Sequence, residues 1–238
     1  MKIFIMIPTY NEAINIEKLI ESIMALKIVN LSIVVVDDNS PDGTWKIVED
    51  FKKKYSNVHI IRRMNDRGRG RAGIEGFQHC LNNKADIILE MDADFSHDPK
   101  DIPALLKGLE RADVVLGSRR VTGGKDIGRP WWRKSITFLA NLYIRLITGM
   151  NVKDCNSGFR AFRSPVLKGV QLENFTSIGP SIVQELLYKS YIKGYSILEI
   201  PIVFKEREVG NSKMRVQQLY QGYLFVLYLR WKKYRGKL

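Results

Sequence analysis

Leu31-Ser32-Ile33-Val34-Val35-Val36-Asp37-Asp38-Asn39-Ser40-Pro41-Asp42-Gly43-Thr44 passes from an apolar run through turn chemistry to a helix start. A strand at 31–36 that is apolar on both faces belongs inside a parallel sheet covered by helices on two sides. Ser40 to Gly43 is turn sequence, and Thr44 is placed to cap a helix over 44–55 with Ile47, Val48 and Phe51 inward. The same unit recurs on either side. An apolar strand at 3–7 leads to a helix capped by Asn11, with Ile16, Leu19, Ile20 and Ile23 at i, i+3, i+4 and i+7 spacing. Further strands are predicted at 58–61, 87–91 and 114–116, with helices at 72–81 and 99–109. The expectation is an α/β fold with a mostly parallel central sheet and helices on both faces.

The polar runs then fall into register. Residues 8–12, 37–40, 65–70, 92–94 and 117–119 each lie just past the carboxyl end of a predicted strand. That edge is where open α/β sheets bind ligands. The second half is less regular. A glycine-rich link at 123–130 leads to an amphipathic helix or helix pair at 131–150, with Trp132, Ile136, Leu139, Tyr143 and Leu146 on one stripe. Core packing and contact with a membrane surface both suit that stripe, and the aromatic and basic start favours the membrane. A signature at 153–163, a helix at 180–193, one strand at 196–204 around Pro201, a charged loop at 206–214 and a helix at 215–233 complete the chain.

Composition bounds the partners. The 238 residues carry 38 Lys and Arg against 25 Asp and Glu, a net charge of +13. A balance this basic suits nucleic acid, a nucleotide or an anionic membrane, and does not choose among them. At 45% hydrophobic, the chain is neither a disordered tail nor a disulfide-stapled miniprotein. Cys80 and Cys155 read as free thiols in a reducing compartment. The apolar run at 3–8 is too short for a signal peptide, and no stretch approaches the roughly 20 apolar residues of a membrane span.

Asp92 and Asp94 sit at i and i+2 where a strand ends, so an extended chain would turn both to one side. Without histidines or cysteines clustered nearby, such a pair suits a hard cation, Mg²⁺ or Mn²⁺. A helix cap beside a solvated carboxylate is the competing account. Behind the buried strand at 87–91 the cation is favoured. Asp37 and Asp38 lie where a carboxylate can accept from the N–H edge of a base. Gly68-Arg69-Gly70-Arg71-Ala72-Gly73 matches G-x-G-x-x-G, but a dinucleotide fingerprint belongs after the first strand. Backbone packing explains these glycines better, with Arg69 and Arg71 either lining an anion path or solvated. Arg119, Arg133, Arg160, Arg207 and Lys213 are cations of which four stand in three local signatures, Gly117-Ser118-Arg119, Ser157-Gly158-Phe159-Arg160 and 207–213.

Taken in order from residue 2 to about 214, the runs 8–12, 36–44, 91–97, 117–119, 156–163 and 207–213 closely resemble dolichol-phosphate mannose synthases, glycosyltransferase family 2 enzymes of GT-A fold. The resemblance implies a Rossmann-like catalytic domain over 1–214, with a nucleotide-sugar half at 1–120 and an acceptor half at 121–214. A basic amphipathic helix at 215–238, with no transmembrane segment, would follow. Pro8, Tyr10, Glu12, Val36 and Asp38 would hold the nucleotide, Asp92 and Ala93 would touch it near the sugar, and Asp94 would bind the metal. Ser96 stands where relatives often place a further metal ligand. Arg119, Arg133 and Thr137 match acceptor-phosphate positions, and Arg207 and Lys213 would close over the diphosphate.

The implied reaction moves mannose from GDP-mannose to dolichyl or polyprenyl phosphate with inversion. UDP-glucose is the alternative donor. A phosphomonoester with a second pKa of about 6 is already largely dianionic near neutrality, so no general base is required. His97 then reads as structural. The implied location is peripheral, on the cytoplasmic face of a membrane, directly or through a separate anchor protein, with no nucleic-acid partner. A nucleic-acid-binding protein and an NADP-dependent reductase are the rival classes.

Overall fold

The computed structural model describes residues 1–206, 216–236 and 238, with side chains omitted for 216–220. The predicted alternation is present: β1 (Ile3–Thr9), α1 (Ala13–Met24), β2 (Leu31–Asp37), α2 (Thr44–Lys54), β3 (Val58–Arg62), α3 (Arg69–Asn82), β4 (Ile87–Glu90), α4 (Ile102–Gly108, after a 3-10 turn at Pro99–Asp101) and β5 (Val114–Ser118). Then follow β6 (Lys125–Ile127), α5 (Trp131–Thr148), β7 (Arg160–Arg163), α6 (Ser164–Gly169), α7 (Ile182–Ile192), β8 (Ile197–Pro201), β9 (Val203–Lys205) and α8 (Val216–Tyr234).

The main sheet has the order β3-β2-β1-β4-β7-β5-β8. All pairings in it are parallel except those of β7, which runs antiparallel between β4 and β5. Strand β7 lay hidden in the signature at 153–163, because its two arginines mask the alternation of its apolar residues. Phe159 and Ala161 join the core on one face of the sheet, and Phe162 joins the other. The predicted strand at 196–204 is two strands. β8 pairs with β5, whereas β9 pairs with β6 in a separate two-stranded sheet. Pro201, which brings no N–H to a ladder, ends β8.

Period-two alternation splits each strand between two cores. Phe4 and Met6 of β1 pack with α3, α6, α7 and α8, while Ile3, Ile5 and Ile7 pack with α1, α2 and α4. Ile16, Leu19, Ile20 and Ile23 of α1 are fully buried, as their spacing predicts. Each such side chain contributes about 1.5–3 kcal/mol of burial, so a one-residue slip in register is strongly disfavoured. The cap of α1 differs from expectation. Asn11 lies at φ 59°, outside the helix, and Glu12 takes the cap position without a side-chain bond. Instead the β2–α2 loop reaches across. Glu12 N–H donates to Thr44 Oγ1 (2.9 Å) and Ala13 N–H to Asp42 Oδ2 (3.0 Å). Thr44 is therefore not the cap of α2; Gly43 is, at φ 85°.

Helix α5 is single and largely exposed. Only Asn141, Ile144 and Thr148 are buried, while Trp132, Leu139 and Leu146 of the apolar stripe face outward. Tyr143 turns inward to α8, its hydroxyl donating to the Tyr223 carbonyl (3.0 Å).

Candidate active site

The carboxyl ends of β1 to β5 lie at one edge, and their loops are tied together by carboxylates. Asp37, fully buried, accepts from Thr9 Oγ1 (2.8 Å), Ser40 N–H (2.8 Å) and Ser40 Oγ (2.6 Å). It is a structural clamp between the first two loops. Asp38 accepts from Arg63 Nη1 and from Gly68 N–H (2.7 Å), joining the second loop to the third. Its carboxylate has lone pairs beyond these two bonds. Pro8 and Val36 pair across β1 and β2. The Val36 side chain is buried against α3, so only its backbone can face the edge. Tyr10 is 37% exposed and lies under the Arg67 guanidinium, 5.4 Å from ring centroid to Cζ. Glu12 Oε2 accepts from Asn15 Nδ2 (2.9 Å).

Gly68 and Gly70 pack against the backbone of residues 177–178, and Gly73 against the Ile182 side chain. A Cβ on Gly70 would lie 2.5 Å from the Ser177 carbonyl oxygen. Arg69 follows neither of its two expected courses. It donates to Glu90 Oε1 (2.7 Å) and Asp92 Oδ1 (3.1 Å). Arg160 is fully buried and also paired with Glu90, so it is no surface cation. Burial pushes the Glu90 carboxyl up, and the two guanidiniums more than reverse it, leaving it below the usual carboxylate range.

Strand β4 ends at Glu90, so extended backbone does not run through both aspartates. Asp92 meets Arg69, while Asp94, 7% exposed, accepts Ser96 N–H at its Oδ1 (3.0 Å). Ala93 and Ser96 are buried beside them. Among the described residues no three His, Cys, Asp or Glu side chains gather as a protein-built metal cage. One or two carboxylates with a hydroxyl are the donor set of a Mg²⁺-type ion that takes its other ligands from water and substrate phosphates, and Asp94 with Ser96 fits it. His97 is buried, stacked on Phe159 (5.0 Å between centroids), and its Nδ1 accepts the Asp92 N–H (3.4 Å). Burial lowers its pKa. These contacts are those of a packing residue.

A second cluster lies at the start of α5. Arg119 forks onto Asp154, with Nε to Oδ2 and Nη2 to Oδ1 both at 2.7 Å. Burial opposes its charge, and Asp154 outweighs that, raising its pKa above the ordinary value. Arg133 pairs with Glu206, and Thr137 Oγ1 donates to the Arg133 carbonyl (2.9 Å). Arg129 completes the group, with Nη2 on Thr137 Oγ1 (3.0 Å) and Nη1 on Asp126 Oδ2 (3.1 Å). Phe204 lies between Arg119 and Arg129, 4.9 and 5.8 Å from ring centroid to Cζ. Arg129 was not assigned to this site from sequence; it precedes α5, so no helical spacing ties it to Arg133 and Thr137. The pairs differ in exposure: 8% and 0% for Arg119–Asp154, 13% and 8% for Arg129–Asp126, but 34% and 28% for Arg133–Glu206. Arg133–Glu206 is the most exposed of the three pairs. Arg207 and Lys213 lie outside the described residues.

Residues 4–170 match the family described as Glycosyl transferase family 2. The chain belongs to this family. The family 2 region takes in β1 to β7, so both clusters begin within it and α7 and α8 lie beyond. The chain is 39% identical over 216 residues to an undecaprenyl-phosphate mannosyltransferase of Micrococcus luteus, covering 90% of this chain and 88% of that one. It is 36% identical to a polyprenol monophosphomannose synthase of Mycolicibacterium smegmatis over 88% of this chain and 80% of the relative. A dolichol-phosphate mannosyltransferase of Pyrococcus furiosus is 38% identical over the whole chain and 66% of its own length. In fold, glucosyl-3-phosphoglycerate synthase of Mycobacterium tuberculosis superposes with TM-score 0.70 at 18% identity, over 96% of this chain and 79% of that one. The GT-A fold expected from the sequence is therefore present, with a mostly parallel sheet between helices.

Proposed function

We propose that this family 2 glycosyltransferase moves mannose from GDP-mannose to a polyprenyl or dolichyl phosphate. The observation that carries the reading is the pairing of two sites across one sheet edge: aspartates at the end of β4, and an arginine cluster at the start of a helix with an exposed apolar face. The relatives named above are polyprenyl-phosphate mannosyltransferases, which supports the same acceptor class here.

Residues 1–120 supply most of the donor side and 121–214 most of the acceptor side, with Arg119 assigned to the acceptor and Arg207 and Lys213 to the donor's leaving group. Pro8, Tyr10, Glu12, Val36 and Asp38 surround the nucleotide, with Asp92 and Ala93 toward the sugar. Asp94 and Ser96 would hold Mg²⁺ or Mn²⁺, which when bound would supply positive charge beside the donor diphosphate. Arg207 and Lys213 supply further positive charge to that leaving group. Arg119, Arg133 and Thr137 hold the acceptor phosphate, whose oxygen attacks the sugar carbon as the bond to GDP breaks. Attack from the opposite face inverts that carbon.

The exposed Trp131, Trp132, Phe138 and Leu139 of α5, with Leu224, Leu227 and Trp231 of α8, suit the surface of a membrane that carries the lipid. Arg230, Lys232, Lys233 and Arg235 on and just after α8 suit anionic headgroups. No described helix is long and apolar enough to cross a bilayer, and attachment at the cytoplasmic face, directly or through an anchor protein, is the arrangement proposed.

The test offers labelled GDP-mannose or UDP-glucose, Mn²⁺ and a short polyprenyl phosphate to the purified chain. Label from GDP-mannose moving into the organic phase, and lost in Asp94→Ala, is the expected result. Transfer only from UDP-glucose overturns the donor, and full activity in Asp94→Ala overturns the metal assignment.

A further inference from the structure

A chain of four charges runs from the core to the donor edge. Arg160 and Glu90 are both fully buried, and Arg160 reaches Glu90 Oε2 through Nε (3.0 Å) and Nη2. The other Glu90 oxygen, Oε1, accepts from Arg69 Nη1 (2.7 Å), and Arg69 Nη2 continues to Asp92 Oδ1 (3.1 Å). Side-chain exposure rises along the chain, from 0% at Arg160 and Glu90 to 21% at Arg69 and 34% at Asp92. Signs alternate, so the group is neutral as a whole. That is the condition under which buried charges are tolerated.

The geometry points to Arg69 as a positioning residue that sets Asp92 for the donor, with Glu90 and Arg160 as its fixed support. Two observations favour this over a purely structural role. First, Glu90 and Arg160 already neutralise each other through a two-bond fork, so the core does not need Arg69 for charge balance. Arg69 is the member that carries their rigidity outward to a half-exposed carboxylate. Second, the 154–160 loop packs closely over the contact. A Cβ on Gly158 would lie 3.1 Å from Asp92 Oδ2 and 3.5 Å from Arg69 Nη2, so a larger residue there would press on the Asp92 carboxylate. Arginine is the side chain for the task. Its planar fork presents separate N–H groups to two carboxylates at once, whereas a lysine ammonium is a point charge on a flexible stem.

The inference rests on the proposed donor role of Asp92. Its test is a double-mutant cycle on the full chain, read by calorimetric binding of GDP with Mn²⁺ and by the KM values of both substrates. Arg69→Leu is expected to weaken GDP binding and raise the donor KM about tenfold, with the acceptor KM within about twofold of wild type. In an Asp92→Asn background the same substitution should add less than about twofold, because its effect passes through Asp92. Additive losses, or a lower melting temperature with unchanged GDP affinity, overturn the inference. Should Arg69→Leu not fold, Arg69→Lys decides. An ammonium drawn to the buried Glu90 releases Asp92, so donor binding weakens while melting stays near wild type, and wild-type donor affinity refutes the role. A wild-type chain that ignores GDP but binds UDP refutes only the donor reading, and the cycle is then run with UDP.

Discussion

Asp154→Ala isolates the electrostatics of the acceptor cluster. Asp154 is fully buried and accepts three bonds from Arg119: from the backbone N–H at 3.0 Å, and from Nε and Nη2 at 2.7 Å each. Removing it leaves a guanidinium, 8% exposed, without its counter-charge. Breaking a buried pair on one side costs about 3–5 kcal/mol. For a chain of this size that is a fall in melting temperature of roughly 6–20 °C. Replacing both partners, Arg119→Met with Asp154→Leu, removes the charge together with its desolvation penalty and should return stability to within about 2 kcal/mol of wild type. Calorimetric melting reads both variants, and transfer to a polyprenyl phosphate is measured alongside. The double variant is expected to melt near wild type yet transfer at least about a hundredfold more slowly, because a preorganised donor to the phosphate is gone. Melting of Asp154→Ala within a degree of wild type would refute the pairing argument. Wild-type transfer by the double variant would remove Arg119 from the acceptor site.

Glu206→Gln removes the carboxylate that competes for the most exposed arginine of the cluster, so the acceptor KM should fall several-fold with the donor KM unchanged; a rise in the acceptor KM would show that Glu206 positions Arg133 rather than competes for it. Gly76→Ala places a methyl 2.5 Å from Met6 Cγ and 2.9 Å from Val36 Cγ2 and should cost about 1–3 kcal/mol in urea unfolding, whereas Gly179→Ala, with open space around it, should cost little. His59 and His79 pack with ring centroids 5.5 Å apart. Burial lowers both pKa values, and His79 and Lys52 lower that of His59 further. The unfolded chain therefore binds protons that the native one refuses, so their contribution is whole above about pH 6.5 and is lost as pH falls below it. The melting temperature of His59→Phe should decline less between pH 7 and 5 than that of wild type, and an equal decline would refute the sign.

Much of the fold was legible because β1 to β5 are apolar runs between helices whose buried faces follow period 3.6. Ile16, Leu19, Ile20 and Ile23 needed no tertiary information to be placed inward. The β7 strand was not legible, since Arg160 looks like a surface residue until Glu90 is brought opposite by the antiparallel pairing of Glu90 with Arg160. The cap of α1 failed for a similar reason. Asn11 is a good local cap, but Thr44 and Asp42, some thirty residues on, reach its helix end first.

The sequence by itself determined the alternation, the sheet edge at which the polar runs gather, and the residue types available there, because hydrophobic period and turn chemistry act over a few neighbours. Which carboxylate each arginine meets was decided only by the tertiary structure. Asp154 with Arg119, Glu206 with Arg133, and Arg69 between Glu90 and Asp92 are pairs separated by 21 to 73 positions. A charge has no periodicity to announce its partner. Its pairing follows from the burial that brings two distant segments together and makes an unpaired charge too costly to keep.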